Sequence, residues 1–326
     1  TFAHHPGSFT VGEASNASPE SALLFCAPER GEFNMLIQFE HMNLGLENGK
    51  FSPRPLDDGE LADVFTRWQD TLGDRGWNAL YLENHDQPRS VSRFGDPNSY
   101  WRESATALAT AYFLQRGTPF IYQGQEIGML GGSLLKRGDF RDVESLNYLA
   151  GLEGDEVPDG LAAMSRDNGR TPMQWDDSPT AGFTSSEPWI GVPPSATAIN
   201  VAAQIQDPGS ILSYYKALID ARHRVPALTE GSFQRIDVGS PALFVYRRRM
   251  AGSEVLVMVN LSGSVQTPHF PTPDEAWAPS RWNLYLGNTD VPLTSDSRRS
   301  QGGEDRNVCP HDSMRPWEAR VYLRAL

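Results

Sequence analysis

Short apolar segments alternate with amphipathic ones along the first 122 residues, and this alternation limits the folds that the chain can adopt. Four apolar segments have the length and composition of buried strands, at residues 8–11, 35–39, 77–82 and 119–122. Between them, in segments 61–72 and 104–115, apolar residues recur at spacings of three and four, which predicts helices. Strand followed by helix, repeated, is the pattern of an α/β fold.

Polar side chains stand at the end of each predicted strand. They are Glu13, Glu40 with His41, His85 with Asp86, and Gln123 with Gln125 and Glu126. In a (β/α) barrel the carboxyl ends of the strands form the catalytic face. At the end of a buried strand, desolvation favours a protonated carboxyl and would suit Glu13 as a general acid. Taken alone, however, a strand-end Glu is more often an ordinary loop charge.

Residues 82–89 bring amide, imidazole, carboxylate and guanidinium groups to one strand end. Burying so many polar groups is costly without a ligand, which indicates a binding site. The structural alternative makes His85 a hydrogen-bonded core histidine and Arg89 the ion partner of Asp86. From the residues alone, Glu13 and Asp86 would form the acid and the nucleophile of a retaining glycosidase, about 5 to 5.5 Å apart.

The rest of the chain divides into three segments with different residue patterns. Residues 129–206 are rich in Gly, Pro, Asp and Ser with little periodicity, which predicts a long insertion with binding or lid duties. Segment 210–224 returns to a helical pattern. Beyond it, β-branched runs such as 242–246 and 255–260 predict an antiparallel β-sandwich. The predicted domains are therefore 1–228 and 229–326.

Three motifs occur in the order found in one known family: Val11-Gly12-Glu13, Asn84-His85-Asp86-Gln87-Pro88 and the segment 117–128. Together they resemble glycoside hydrolase family 13, the α-amylase family. Residues 165–175 resemble the oligo-1,6-glucosidase and α-glucosidase branch of that family, and the likeness extends to about residue 322.

The resemblance implies roles for individual residues. Glu13 matches the acid/base, and Asp86 matches the Asp that binds substrate hydroxyls and stabilises the transition state, with His85 beside it. Arg166 matches an arginine at the glucose subsite, with a structural ion pair as the alternative. Glu144 matches a residue near the aglycone subsite, with a solvated loop carboxylate as the alternative. Arg170 is interpreted as a structural residue. Trp175 and Trp189 are interpreted as sugar-stacking residues or, more commonly for tryptophan, as buried anchors.

The family nucleophile is an Asp after the fourth barrel strand, and no residue of this sequence matches it. The resemblance therefore implies the C-terminal half of a (β/α)8 TIM barrel, from the fifth strand to the eighth helix, followed by the β-sandwich. The missing N-terminal half is then expected as another chain or as a lost part of the gene product. No cofactor and no metal site are expected here, because a structural Ca²⁺ would belong to that missing half.

The function implied is that of a retaining α-glucosidase acting on short α-glucosides such as maltose, isomaltose or sucrose, although this chain alone is expected to be inactive. One alternative is a sucrose or trehalose isomerase, but the segment Arg93-Phe94-Gly95-Asp96 resembles the hydrolase form. Another is a non-catalytic carbohydrate-binding or scaffold derivative of the barrel.

Composition excludes several partners. The formal net charge is −13, from 41 acidic and 28 basic side chains, which argues against nucleic acid or anionic membrane as a partner. No apolar run approaches the roughly 20 residues that span a bilayer. The two cysteines suggest neither a disulfide framework nor a metal site, and they favour a cytoplasmic location. Small neutral sugars fit this composition best.

Overall fold

Four short parallel strands, in sequential order, organise the first part of the chain. The computed structural model describes residues 5, 7–271, 277, 278, 281–289 and 308–325. Strand β1 (Val11–Ala14) pairs with β2 (Met35–Gln38), and β3 (Ala79–Leu80) pairs with β4 (Thr118–Pro119). A parallel bridge between Leu36 and Asn78 joins the two pairs. The spatial order is therefore β1-β2-β3-β4.

Helices follow the strands as the sequence predicts. The helices are α1 Pro19–Cys26, α2 Glu60–Leu72, α3 Ser90–Phe94, α4 Trp101–Phe113, α5 Val143–Ala150, α6 Asp159–Met164, α7 Val201–Gln204, α8 Ile211–Arg224 and α9 Pro226–Thr229. Single 3₁₀ turns lie at Pro28–Arg30, His41–Asn43, Gln125–Ile127, Arg137–Asp139, Arg166–Gly169 and Pro194–Thr197. Because α1 follows β1, α2 follows β2, and α3 with α4 follow β3, the predicted α/β alternation is confirmed. None of the helices in the described part of the chain has the length and apolarity needed to cross a bilayer.

Helix burial follows the spacing of apolar residues. In α2, Leu61, Phe65, Trp68 and Leu72 recur at spacings of three and four, and all four are buried. Helix α4 is instead buried on almost every side, and its core-facing alanines let it lie close to both α8 and β7. It therefore forms the centre of the molecule, between the parallel strands and the C-terminal sheet.

The described residues of the C-terminal part form an antiparallel sheet of five strands. They are β5 Ser232–Arg235, β6 Leu243–Met250, β7 Ser253–Asn260, β8 Asn283–Gly287 and β9 Ala319–Ala325, in the order β5-β6-β7-β9-β8. Successive side chains alternate between two clusters: Phe244 and Tyr246 join the core formed with α4 and α8, whereas Leu243 and Val245 pack with Trp277. Within the described residues the predicted β-sandwich is thus one sheet with helices on one face.

Several predicted boundaries are wrong. Strand β1 begins three residues later than predicted, so Glu13 lies within the strand and not after it. Strands β3 and β4 have two residues each and are therefore shorter than the predicted segments 77–82 and 119–122. The segment 129–206, predicted to lack periodicity, contains α5, α6 and α7. The division at residue 228 stays a prediction, since one core cluster includes both Leu228 and Phe244.

Candidate active site

Asp86 lies at the centre of a group of charged side chains beyond the carboxyl end of β3. Its Oδ1 is 2.7 Å from Nη2 of Arg170 and 3.4 Å from Nη1 of Arg166. Its Oδ2 is 3.3 Å from Nε2 of His85. Two arginines therefore hold one carboxylate oxygen, and the other faces the imidazole. The interpretation of His85 as a core histidine is wrong, because 62% of its side chain is exposed.

Asp142 forms ion pairs with both arginines. Its Oδ1 lies 2.6 Å from Arg166 and 3.7 Å from Arg170, while its Oδ2 accepts hydrogen bonds from the backbone N–H and the hydroxyl of Ser145 at the start of α5. Burial acts to raise the pKa of Asp142, but the hydrogen bonds and charge of Arg166 and the bonds from Ser145 lower the pKa below its ordinary value. Asp142 is therefore an anion that caps α5 and fixes both arginines.

Glu144, in the first turn of α5, is the carboxylate on the outer side of Arg166. Its Oε2 is 3.8 Å from Nε of Arg166 and 2.6 Å from Nζ of Lys50. Lys50 comes from the segment between β2 and α2, 94 residues earlier in the chain. Glu144 therefore belongs to the charged group around Asp86, although 44% of its side chain is exposed.

Glu13 lies at the same end of the parallel strands, on β1. It stands opposite Ile37 of β2 and is exposed. The burial expected from the sequence is wrong for this residue, because β1 has a neighbour on only one side among the described strands. The charge of Glu13 nevertheless acts on Tyr81: burial and, after it, that charge raise the pKa of the Tyr81 phenol well above its ordinary value.

Glu40 and His41, which follow β2, pack within the fold. Glu40 accepts a hydrogen bond from Nε1 of Trp68 at 2.7 Å. His41 is buried with its ring centroid 4.7 Å from that of Tyr81, and burial lowers the pKa of His41 to about 3. This neutral, buried imidazole packs against Tyr81 and forms no ion pair with the charged group around Asp86.

A buried ion pair lies beside the loop that carries His85 and Asp86. Arg89 is fully buried, its Nη1 donates to the backbone oxygen of Gln123 at 2.6 Å, and it lies 3.5 Å from Oε2 of Glu83. Arg89 therefore pairs with Glu83, and its interpretation as the partner of Asp86 is wrong. Burial raises the pKa of Glu83 to about 7, although Arg89 and the hydroxyl of Ser90 oppose the increase.

We expect this carboxyl to give the protein a pH-dependent stability. The folded protein binds the Glu83 proton more tightly than the unfolded chain does, since the pKa is about 7 against an ordinary 4.5. The free energy of unfolding should therefore be greatest below about pH 4.5 on account of this group, and should fall by about 1 to 3 kcal/mol as the pH rises through 7. Urea unfolding at a series of pH values measures this slope.

Replacing Glu83 with Gln should remove that part of the slope, because an amide keeps the hydrogen-bonding geometry and does not titrate in this range. The exposed Glu187→Gln is the matched control and should leave the slope unchanged. An identical pH dependence in the Glu83 variant and the unchanged protein would contradict the expectation.

Gly169 brings the insertion against the loop after β3. A Cβ at this position would lie 2.6 Å from the backbone oxygen of Gln87 and 2.8 Å from that of Asn84. The hydroxyl of Tyr122 donates to the Gly169 carbonyl at 2.8 Å. A side chain here would therefore clash with the backbone of the loop that carries Asp86.

Some members of this site were missed or underestimated from the sequence. Arg170, interpreted as structural, contacts Asp86 directly and also donates from Nε to the backbone oxygen of His85 at 2.8 Å. Asp142 carried a recognisable signal, since an Asp just before an apolar segment is typical of a helix N-cap. Nothing in the sequence connects Lys50 with its partner.

Trp175 and Trp189 are exposed at 50% and 64%. The interpretation of these residues as buried anchors is therefore wrong. Their sugar-stacking role stays a prediction, since exposure makes the rings accessible without defining a ligand.

Comparisons with known proteins agree with this arrangement. The family model for the alpha amylase catalytic domain matches residues 1–231. The oligo-1,6-glucosidase of Parageobacillus thermoglucosidasius is 41% identical over 320 residues, which are 96% of this chain and 54% of that protein. The crystal structure of Bacillus licheniformis trehalose-6-phosphate hydrolase superposes with a TM-score of 0.84 at 34% identity, covering 98% of this chain and 56% of the other. That of a mutant of the trehalulose synthase MutB gives 0.84 at 32% identity, covering 99% and 56%.

The chain therefore belongs to the α-amylase family of glycosidases, with oligo-1,6-glucosidases among its relatives. It spans about half the length of the curated relatives that it matches. Among the described residues, no group of three His, Cys, Asp or Glu side chains is arranged to hold a metal ion.

Proposed function

We propose that this chain supplies the acid/base and the transition-state-binding side chains of a retaining α-glucosidase that acts on short α-glucosides. The observation that carries the proposal is the environment of Asp86. One of its oxygens is held by Arg166 and Arg170, and the other lies beside the exposed imidazole of His85. A carboxylate oxygen and an imidazole fixed in this way can bind neighbouring sugar hydroxyls.

The proposed reaction is a double displacement. A carboxylate attacks the anomeric carbon while Glu13 protonates the leaving oxygen, which gives a glycosyl ester and the free aglycone. Glu13 then removes a proton from water, which attacks the ester and releases α-glucose together with the regenerated carboxylate. Asp86 and His85 bind the ring hydroxyls more tightly as the ring flattens, so they act mainly on turnover. No cofactor is needed for these steps.

We place the attacking carboxylate on a strand outside these 326 residues, next to β1. In this proposal the four parallel strands are half of an eight-stranded barrel. Its support is that β1 and β4 each have one outer edge without a strand among the described residues. Large apolar side chains are exposed around β1 and α1, namely Phe9, Leu24, Phe25 and Phe33. A preceding strand and helix would cover them.

A chimera tests the proposal. The part of the Parageobacillus oligo-1,6-glucosidase that precedes its match to this chain should be joined to residues 1–326, with that part alone as the control. The chimera is expected to hydrolyse isomaltose or maltose and to release glucose first as the α anomer, as followed by ¹H NMR. A folded chimera without hydrolysis, or one that first releases the β anomer, would contradict the proposal.

A second candidate is an isomerase, which the structural similarity to trehalulose synthase favours. Such an enzyme uses the same carboxylates but transfers the glucosyl group back to the released sugar. With sucrose as the substrate of the chimera, trehalulose or isomaltulose would indicate an isomerase, and glucose with fructose would indicate the hydrolase.

The relatives leave the kind of glucoside open. One group carries the name oligo-1,6-glucosidase and another the name trehalose-6-phosphate hydrolase. The first name denotes a neutral substrate and the second a phosphorylated one. A phosphorylated substrate differs from a neutral one in charge, so the charged side chains of this chain's site bear on the choice between them.

A further inference from the structure

Charges around Asp86 balance within the described part of the site. The carboxylates are Asp86, Asp142 and Glu144, and the cations are Lys50, Arg166 and Arg170. The closest carboxylate of Arg170 is Asp86 at 2.7 Å, that of Arg166 is Asp142 at 2.6 Å, and that of Lys50 is Glu144 at 2.6 Å. Each cation of this group therefore already has an anion.

Lys50 is the cation of this group that pairs with Glu144, and its neighbour in the chain fixes the position of its backbone. Phe51 packs edge-on against Tyr148 of α5, with ring centroids 4.8 Å apart, and joins the apolar cluster formed with Phe140 and Leu161. Only 24% of the Lys50 side chain is exposed. The backbone at Lys50 is therefore held near α5 by the packing of Phe51, which keeps the ammonium group within reach of Glu144.

A sugar phosphate requires cations that are not already neutralised. Phosphate carries close to two negative charges, and burying it next to an existing ion pair forces it to compete with the carboxylate for the same cation. A neutral sugar has no such requirement, because hydroxyl groups can bind to paired carboxylates and ammonium groups. Whether Glu144 neutralises the charge of Lys50 therefore affects which class of substrate, neutral or phosphorylated, the site can bind.

We propose that Glu144 determines specificity by neutralising Lys50, so that the outer side of the site accepts neutral glucosides and disfavours phosphorylated ones. This inference rests on the proposed function, since it names the substrate class of the same site. Removing the charge of Glu144 leaves Lys50 in place beside Arg166, where it becomes a cation available to a phosphate group.

The test measures binding and needs no hydrolysis. Glucose 6-phosphate is titrated into the 326-residue chain and followed by ³¹P NMR, with glucose as the uncharged probe. The chain contains only three lysines, Lys50, Lys136 and Lys216, and the last two are exposed. Reductive ¹³C-dimethylation, which keeps the lysine charge, therefore gives a resolvable signal that reports whether the phosphate reaches Lys50.

Glu144→Gln is expected to lower the dissociation constant for glucose 6-phosphate about fivefold, or about 1 kcal/mol. The ¹³C signal of Lys50 should shift during that titration, while those of Lys136 and Lys216 stay unchanged. The affinity for glucose should not improve. In the double variant Lys50→Met with Glu144→Gln, the gain should be lost, because the released cation is gone.

Equal affinities for glucose 6-phosphate with and without Glu144 would overturn the proposal, as would a gain that persists in the double variant. Should Glu144→Gln fail to fold by circular dichroism, Glu144→Ala carries the same expectation. A chain that shows the fivefold gain but gives no hydrolysis in the chimera would contradict the proposed function alone. Hydrolysis in the chimera without the gain would contradict only the role of Glu144.

Discussion

Glu13→Gln should lower the kcat of the active chimera for isomaltose by about a thousandfold, because general acid catalysis contributes about 10² to 10⁴ in rate. An amide cannot protonate the departing sugar oxygen, and it cannot accept a proton from water in the second step. With p-nitrophenyl α-glucoside the first step should suffer much less, since nitrophenolate departs without protonation. Steady-state and burst kinetics on both substrates measure the difference.

The dependence on the leaving group separates an acid from a residue that only supports the fold. Glu32→Gln is the matched control, because Glu32 is an exposed carboxylate on the turn before β2, and its kcat should stay close to that of the unchanged protein. An equal loss on both substrates in the rate of the first step, measured from the burst, would contradict the assignment of Glu13 as the acid. So would a Glu13 variant with unchanged turnover of isomaltose.

Arg248→Met should destabilise the protein by about 3 kcal/mol. Arg248 is fully buried on β6, and its guanidinium donates to the backbone oxygens of Leu114 and Leu228, at 2.8 and 2.7 Å, and to that of Gly231 at 2.8 Å. Methionine would leave three buried carbonyls without donors.

Part of that loss is offset, because burial is also unfavourable for the arginine itself and lowers the pKa of Arg248 to about 9. Urea unfolding provides the measurement. The adjacent Arg249 is exposed on the same strand, and Arg249→Met should change the free energy of unfolding by less than about 0.5 kcal/mol. Equal effects of the two substitutions would show that the hydrogen bonds of Arg248 contribute nothing specific.

Elements whose sequence pattern coincides with their burial were predictable. Helices α2 and α8 have one apolar face each, and α8 begins just after Ser210, whose hydroxyl accepts from the backbone N–H of Ser213. The β-branched runs of β6 and β7 were also found, although β6 extends four residues beyond the predicted end at 246. That extension contains Arg247, Arg248 and Arg249. Three consecutive charged residues do not predict a strand, but pairing with the neighbouring strands of the sheet stabilises this part of β6.

The candidate site was predictable only where its residues lie close together in the sequence. His85 and Asp86 are adjacent, so local composition was enough to find them, whereas Arg166 was found only through the resemblance of residues 165–175 to one branch of a known family. The exposure of Glu13 could not be predicted from the local sequence, because burial depends on which strands lie beside β1. The pairing of Lys50 with Glu144 was also out of reach, since it follows from the packing of Phe51 against α5 and not from any local pattern.

Both arginines that hold Asp86 come from residues 129–206, and so does Asp142, which fixes them. The parallel strands contribute the carboxylate, and the insertion sets the charge that surrounds it. During divergence, substitutions in the insertion can therefore alter ligand preference while the strand sequences stay constant. A library confined to positions around Asp142 and Glu144 would explore such preferences without disturbing the core around α4.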